Sequence, residues 1–114
     1  KWTPMQKPKL HNPLKIVSRD TGKMTNSLKN AIKGTEANIF FNGGSGKKIS
    51  QVAKGQMDVL IYEGRCTHKW DSCASEPLIL ALGGFFTDEK CQPIEYDPNN
   101  VNTVNTHGNI CCFD

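Results

Sequence analysis

Asp71 stands beside a tryptophan in the run Lys69-Trp70-Asp71-Ser72-Cys73-Ala74-Ser75-Glu76, at the predicted start of an apolar segment. A carboxylate at a helix N-terminus is stabilised as the anion by the helix dipole and the free N–H groups of the first turn. Such an anion is a hard oxygen donor of the kind that Mg²⁺ prefers. The same residue also reads as an ordinary N-cap, accepting from a backbone N–H two or three residues on. Taken alone, the cap is the commoner role.

The loop Gly43-Gly44-Ser45-Gly46-Lys47-Lys48 is the second candidate. Glycines let a backbone approach a phosphate closely, and a following helix offers N–H donors. A lysine there adds a compact positive charge. The spacing is not that of a P-loop, and strand-to-helix turns also carry glycine for conformational reasons alone. Cys66, His68, Cys73 and Cys91 include the donor types of a zinc site, but Cys66-x-His68 lies outside the usual spacings. No Cys-x-x-Cys occurs, so disulfide oxidoreductase chemistry has no support. Trp70 is expected to anchor packing. No aromatic cluster accompanies it, as base stacking on a nucleic acid polymer would need.

These residues need elements to hold them. Leu14-Lys15-Ile16-Val17-Ser18 predicts a short strand, followed by a turn at Asp20-Thr21-Gly22. Met24, Leu28, Ala31 and Ile32 recur at helical spacing up to Gly34. A second strand is predicted over 37–41, a short helix around Ile49, Val52 and Ala53, and a strongly apolar strand over 57–62. Then come a helix over 78–82, strands over 85–87 and 93–96 joined by a turn, and a last strand over 109–112. Residues 1–13, with Pro4, Pro8 and Pro13, read as an irregular leading segment, and 14–114 as one α/β domain. Strand and helix alternate, which argues for an α/β layer with a mainly parallel sheet. In such sheets ligands bind beyond the C-terminal strand ends. Ser18 to Thr21, Asn42 to Ser45 and Glu63 would share that edge, with Asp71 close by.

The 114 residues suffice for one small domain. The formal net charge is +3, with lysines weighted to the first half and acids to the second. A positive first half suits a phosphorylated ligand, although most of these lysines read as a solvated surface. No apolar run approaches the roughly 20 residues of a membrane span. The five cysteines are odd in number and include the adjacent pair Cys111 and Cys112. That pattern suits reduced thiols in the cytoplasm better than a secreted disulfide framework.

The run Lys69-Trp70-Asp71-Ser72-Cys73-Ala74, followed by Ile79-Leu80 and then Gly83-Gly84 and Asp88, resembles the C-terminal signature of the inositol monophosphatase superfamily. These are Mg²⁺-dependent, lithium-sensitive phosphatases. The Gly43-Gly44-Ser45-Gly46-x-Lys48 loop and the Gly55-x-x-Asp58 turn extend the likeness from about Leu14 to the final strand. The motif is most similar in form to the inositol polyphosphate 1-phosphatases, with the 3′(2′),5′-bisphosphate nucleotidases as the sister group.

The resemblance implies the C-terminal half of a layered αβαβα fold and a carboxylate cluster that holds Mg²⁺, with in-line attack of water on phosphorus. It implies that Asp71 is a metal ligand and that Gly44, Ser45 and Lys48 contact the substrate phosphate. It implies that Ser18 and Thr21 line the substrate site. Glu63 resembles the glutamate that binds sugar hydroxyls in the monophosphatases, although the loop after it is longer here. Bisphosphate nucleotidases tend to carry a histidine near the position of Thr21, which this chain lacks.

Two departures stand out. Pro77 falls where the family continues a helix, and a mid-helix proline costs about 3 kcal/mol unless the helix kinks or begins late. The family's Glu-Glu pair, its Asp-Pro-Ile/Leu-Asp-Gly-Thr/Ser motif and its closing helix are absent from this chain. The expected partners are a small phosphorylated substrate and the N-terminal half of the same enzyme, without which the chain should be inactive. The rival expectations are a phospholigand-binding module without catalysis and a zinc- or thiol-based regulator.

Overall fold

The computed structural model describes residues 8–19, 26–41, 43–65 and 67–113. In chain order the elements are β1 (Leu14–Ser18), α1 (Asn26–Ala31), β2 (Ala37–Phe41), α2 (Ser45–Ala53), β3 (Val59–Tyr62), β4 (Thr67–His68), α3 (Lys69–Ser72), α4 (Glu76–Ala81), β5 (Phe85–Thr87), β6 (Val104–Asn105) and β7 (Asn109–Cys112). The turn at Asp20-Thr21-Gly22 lies outside the described residues, as do Asn42 and Cys66.

β1 to β3, β5 and β7 form one mixed sheet in the order β2-β1-β3-β7-β5, and β4 pairs with β6 in a separate two-stranded ladder. β1 is parallel to both β2 and β3, and β7 runs antiparallel to β3 and to β5. Four of the five strands therefore point the same way, with β7 inserted against them. From β1 the chain steps to one side to form β2, then past β1 to form β3 on the other. Right-handed crossovers put α1 and α2 on opposite faces of the sheet. This is a topological switch point at the C-terminal ends of β1 and β3, the kind of place where open α/β sheets bind ligands.

The core lies on the face toward α2. Val17, Leu60, Cys111 and Phe86 are register neighbours and pack with Ile49, Val52 and Ala53 of α2, Ile79 of α4, and Phe113. α2 buries Lys48, Ile49, Val52 and Ala53, a single stripe at helical spacing. Side chains alternate along a strand, so Ile39, Ile16, Val59, Cys112 and Phe85 form a row on the opposite face. Ile16 is buried there, Val59 and Cys112 are only half-buried, and Phe85 is 54% exposed.

Pro77 is accommodated because no helix runs through it. α3 ends at Ser72, a turn follows, and α4 starts at Glu76 with Pro77 in its first turn. A proline there loses no intrahelical hydrogen bond. The strand expected over 93–96 does not form. β5 finds its partner in β7 instead. After β5 the Asp88 carboxylate caps the backbone N–H groups of Lys90 and Gln92, and Cys91 takes a positive φ of 60°. The chain then leaves the five-stranded sheet in a long excursion, pairs with β4 through β6, and rejoins the sheet only at β7.

Candidate functional site

The site is built where β1, β2 and β3 end and α2 begins. Gly44 precedes α2 with φ 80°, a conformation that favours glycine, and it turns the chain from the sheet into the helix. The first backbone bond of α2 runs from Lys48 N to the Gly44 carbonyl. The N–H groups of Ser45, Gly46 and Lys47 thus precede any intrahelical acceptor. Space beside Gly46 is open, since a Cβ there would meet nothing within 4 Å.

Lys48 is 2% exposed, an unusual burial for a lysine. Its Nζ donates to the Ser18 carbonyl at 3.2 Å and lies 4.5 Å from the centre of the Tyr62 ring. The ammonium is therefore drawn inward against the ends of β1 and β3, where a carbonyl dipole and an aromatic face favour the cation. The Ser18 hydroxyl donates in turn to the Ile61 carbonyl at 2.9 Å, which ties β1 to β3 at the same edge. Gly108 makes the opposite approach possible. A Cβ at that position would run into the Tyr62 carbonyl.

Asp71 is the third residue of α3 rather than its N-cap. Its Oδ2 accepts from the His68 backbone N–H at 2.8 Å, three residues back, which is one arm of a capping box. Its Oδ1 accepts from the Ser45 hydroxyl at 3.3 Å. The carboxylate therefore both caps its own helix and touches the first residue of α2. Ser18, Gly44, Ser45, Lys48 and Asp71 come together at one edge. Glu63 directly follows β3 at that edge and is half-buried. Thr21 lies outside the described residues.

Trp70 is not a core anchor. It is 62% exposed and lies flat on the His68 ring, with centroids 4.1 Å apart and planes 4° from parallel. α3 is a single turn and carries the indole outward. Burial pushes the Cys111 thiol up to about 12, with Cys112 beside it adding to the shift, so this core cysteine is a poor nucleophile. The described cysteines Cys73, Cys91, Cys111 and Cys112 are free thiols, and no group of three or more His, Cys, Asp or Glu side chains converges among the described residues.

Sequence reasoning missed Tyr62 as the floor under Lys48. The alternation that buries Leu60 on the α2 side buries Tyr62 there too, and that signal was available in the sequence. It also missed the polar cluster behind α3. Asn105 Nδ2 donates to Thr67 Oγ1, the His68 carbonyl and Ser72 Oγ, and Thr67 Oγ1 donates to Asn109 Oδ1. No local pattern links residues so far apart in the chain.

A mixed α/β layer with a lysine and a helix N-terminus at one sheet edge, beside a carboxylate, defines a domain suited to phosphorylated ligands. The chain matches the Inositol monophosphatase family over residues 6–111 and belongs to it. It is 35% identical over 71 residues to the 3′(2′),5′-bisphosphate nucleotidase 1 of Rattus norvegicus, covering 62% of this chain and 23% of that protein. It is 40% identical over 52 residues to the inositol polyphosphate 1-phosphatase of Homo sapiens, covering 46% of this chain and 13% of that protein. A solved IMPase/NADP phosphatase, complexed with Mg²⁺ and phosphate, shares the fold at TM-score 0.68 and 18% identity, over 95% of this chain and 38% of that one. The chain spans under a quarter of the length of these two curated relatives.

Proposed function

We propose that this chain carries the phosphate-binding edge and one metal-holding carboxylate of a Mg²⁺-dependent phosphomonoesterase. Its substrate is a small polyphosphorylated molecule, an inositol bisphosphate losing its 1-phosphate. The observation that carries the reading is the contact between Ser45, at the start of α2, and the Asp71 carboxylate, one helical turn from the buried Lys48. Phosphate would be received by the N–H groups at the start of α2 and drawn in by the Lys48 charge. Gly46 leaves room for that approach.

Asp71 suits Mg²⁺ as a hard oxygen donor already aimed by two hydrogen bonds. When bound, the ion supplies charge neutralisation at phosphorus and at the leaving oxygen. One carboxylate does not make such a centre, so the remaining acids would come from an N-terminal part of the same enzyme. The small share of the relatives' length that this chain spans supports this, as does the incompletely covered outer face of the sheet. The chain alone is then inactive.

A second reading, a 3′(2′),5′-bisphosphate nucleotidase acting on 3′-phosphoadenosine 5′-phosphate, is favoured by the exposed Trp70 indole stacked on half-buried His68 beside Asp71, a flat aromatic surface of the kind that holds a base. The test uses the complete enzyme and measures phosphate release from both substrates, with and without Mg²⁺. Asp71→Asn is expected to lower kcat by roughly 100-fold or more, and Lys48→Met to act mainly by raising KM. Full activity of Asp71→Asn, or of the isolated chain, would defeat the phosphatase reading. Tight phosphate binding without turnover by the complete protein would favour a binding module instead.

A further inference from the structure

We infer that Asn105 is a positioning residue for Asp71, acting through the single helical turn that carries it; this rests on the reading of Asp71 as a metal-holding carboxylate. α3 has only four residues. A helix that short does not hold its own conformation, because nucleation is unfavourable and is recovered only through packing or outside contacts. Ser45 and Tyr96 each touch the turn, at Asp71 and Ser72, and the largest set of contacts comes from a segment more than thirty residues later in the chain. The Thr103 carbonyl accepts from Lys69 N at 2.6 Å, and Thr103 Oγ1 lies 3.2 Å from His68 Nδ1.

Asn105 completes the grip. It is 3% exposed and sits opposite Thr67 in the β4–β6 ladder. Its amide nitrogen shares two hydrogens among three acceptors: Thr67 Oγ1 at 3.0 Å, the His68 carbonyl at 3.1 Å and Ser72 Oγ at 3.2 Å. His68 and Ser72 bracket Asp71 in sequence. The His68 carbonyl belongs to the residue whose N–H caps the Asp71 carboxylate. One side chain thus contacts both ends of the turn, including the residue whose N–H aims the acid, while Tyr96 adds a second hold on Ser72.

The cluster is not the cheapest filling for this space. Asn105 Oδ1 and Asn109 Nδ2 are buried in it without a partner among the described residues. Buried polar atoms left unmatched are destabilising, and an apolar core would avoid them. What the polar cluster supplies is a defined orientation. Placement within a fraction of an ångström matters where acids must converge on one ion.

The test compares Asn105→Ala with the parent complete protein by two readouts. The first is hydrogen exchange at the His68 amide, which donates to Asp71, against the Leu60 amide in the core. The second is kcat and KM for phosphate release. The expected result is exchange at His68 faster by roughly tenfold or more with Leu60 unchanged, and a kcat lower by about 100-fold with little change in KM. If His68 exchange is unchanged, or if both amides speed up together, the inference is overturned. Should Asn105→Ala not fold, Asn105→Asp keeps the shape of the side chain but removes both amide hydrogens, and the same comparison decides. Failure of the underlying reading looks different: Asp71→Asn would keep full activity while His68 exchange in Asn105→Ala still rose.

Discussion

Asp58 illustrates at the residue scale how this chain holds a buried charge, and it does so at the edge of the sheet opposite the site. Its side chain is 2% exposed and lies 2.9 Å from the His11 ring nitrogen. Burial alone would raise its carboxyl above the ordinary 3.8. The backbone N–H of Lys15, the His11 ring, the His11 N–H and the His11 charge outweigh that and hold it lower. The carboxyl therefore binds a proton more weakly folded than unfolded. Its stabilising contribution is complete above about pH 4 and drains away as the pH falls through the folded value. A denaturation series from about pH 6 down to pH 3 should show the midpoint falling at the acid end. Asp58→Asn should cost about 2 kcal/mol at pH 6 and flatten that part of the profile. An unchanged acid limb in the variant would assign the pH dependence to other carboxylates. Asp71 differs from Asp58 in purpose. Both accept backbone hydrogen bonds, but Asp71 also meets Ser45 at the start of another helix, and it is that contact which aims it beyond its own turn.

At the scale of elements, the α3–α4 break decides how the Asp71 turn can be oriented separately from the apolar helix behind it. Pro77 sits in the first turn of α4, so Pro77→Ala should change stability by no more than about 1 kcal/mol, against about 3 kcal/mol for a proline that interrupts a helix. Urea unfolding measures this, and a large gain on removing Pro77 would mean that α3 and α4 strain to be one helix. The elements differed in how far they could be read from residues alone. β1, β2 and β7 were legible to the residue because each is a short apolar run bounded by turn chemistry. The strand expected over 93–96 has the right residue types, but strand formation needs a partner, and β7 already satisfies β5. β4 and β6 were invisible because two residues carry no period. The convergence of Ser18, Gly44 and Ser45 could be expected from the general rule for parallel sheets, without knowledge of any particular distant contact. Asn105 did need it: its bonds to Thr67, His68 and Ser72 span more than thirty residues, and only the folded chain brings them together.

Over the whole molecule, the two faces of the sheet are unequal, and that inequality bears on what else this chain binds. The α2 face holds a closed core in which Val17, Leu60 and Cys111 are fully buried. The opposite face presents Val59, Ile61, Ile110 and Cys112 half-buried and Phe85 54% exposed, an apolar row across β3, β7 and β5. In water such a row is an unfavourable surface and a place for another layer. If the N-terminal part of the enzyme supplies that layer, Phe85→Asp should have different costs in two settings. In the isolated chain the residue is half in water already, so the change should stay within about 0.5 kcal/mol. In the complete protein the phenyl ring would be fully covered, and the charge should cost about 3 kcal/mol or more, from lost apolar burial and from an unpaired buried carboxylate. Urea midpoints of both forms, with and without the substitution, measure the difference directly. Equal costs would mean that the outer face stays open in the complete protein. The further acids proposed for the site would then have to arrive by a route that leaves β5 uncovered.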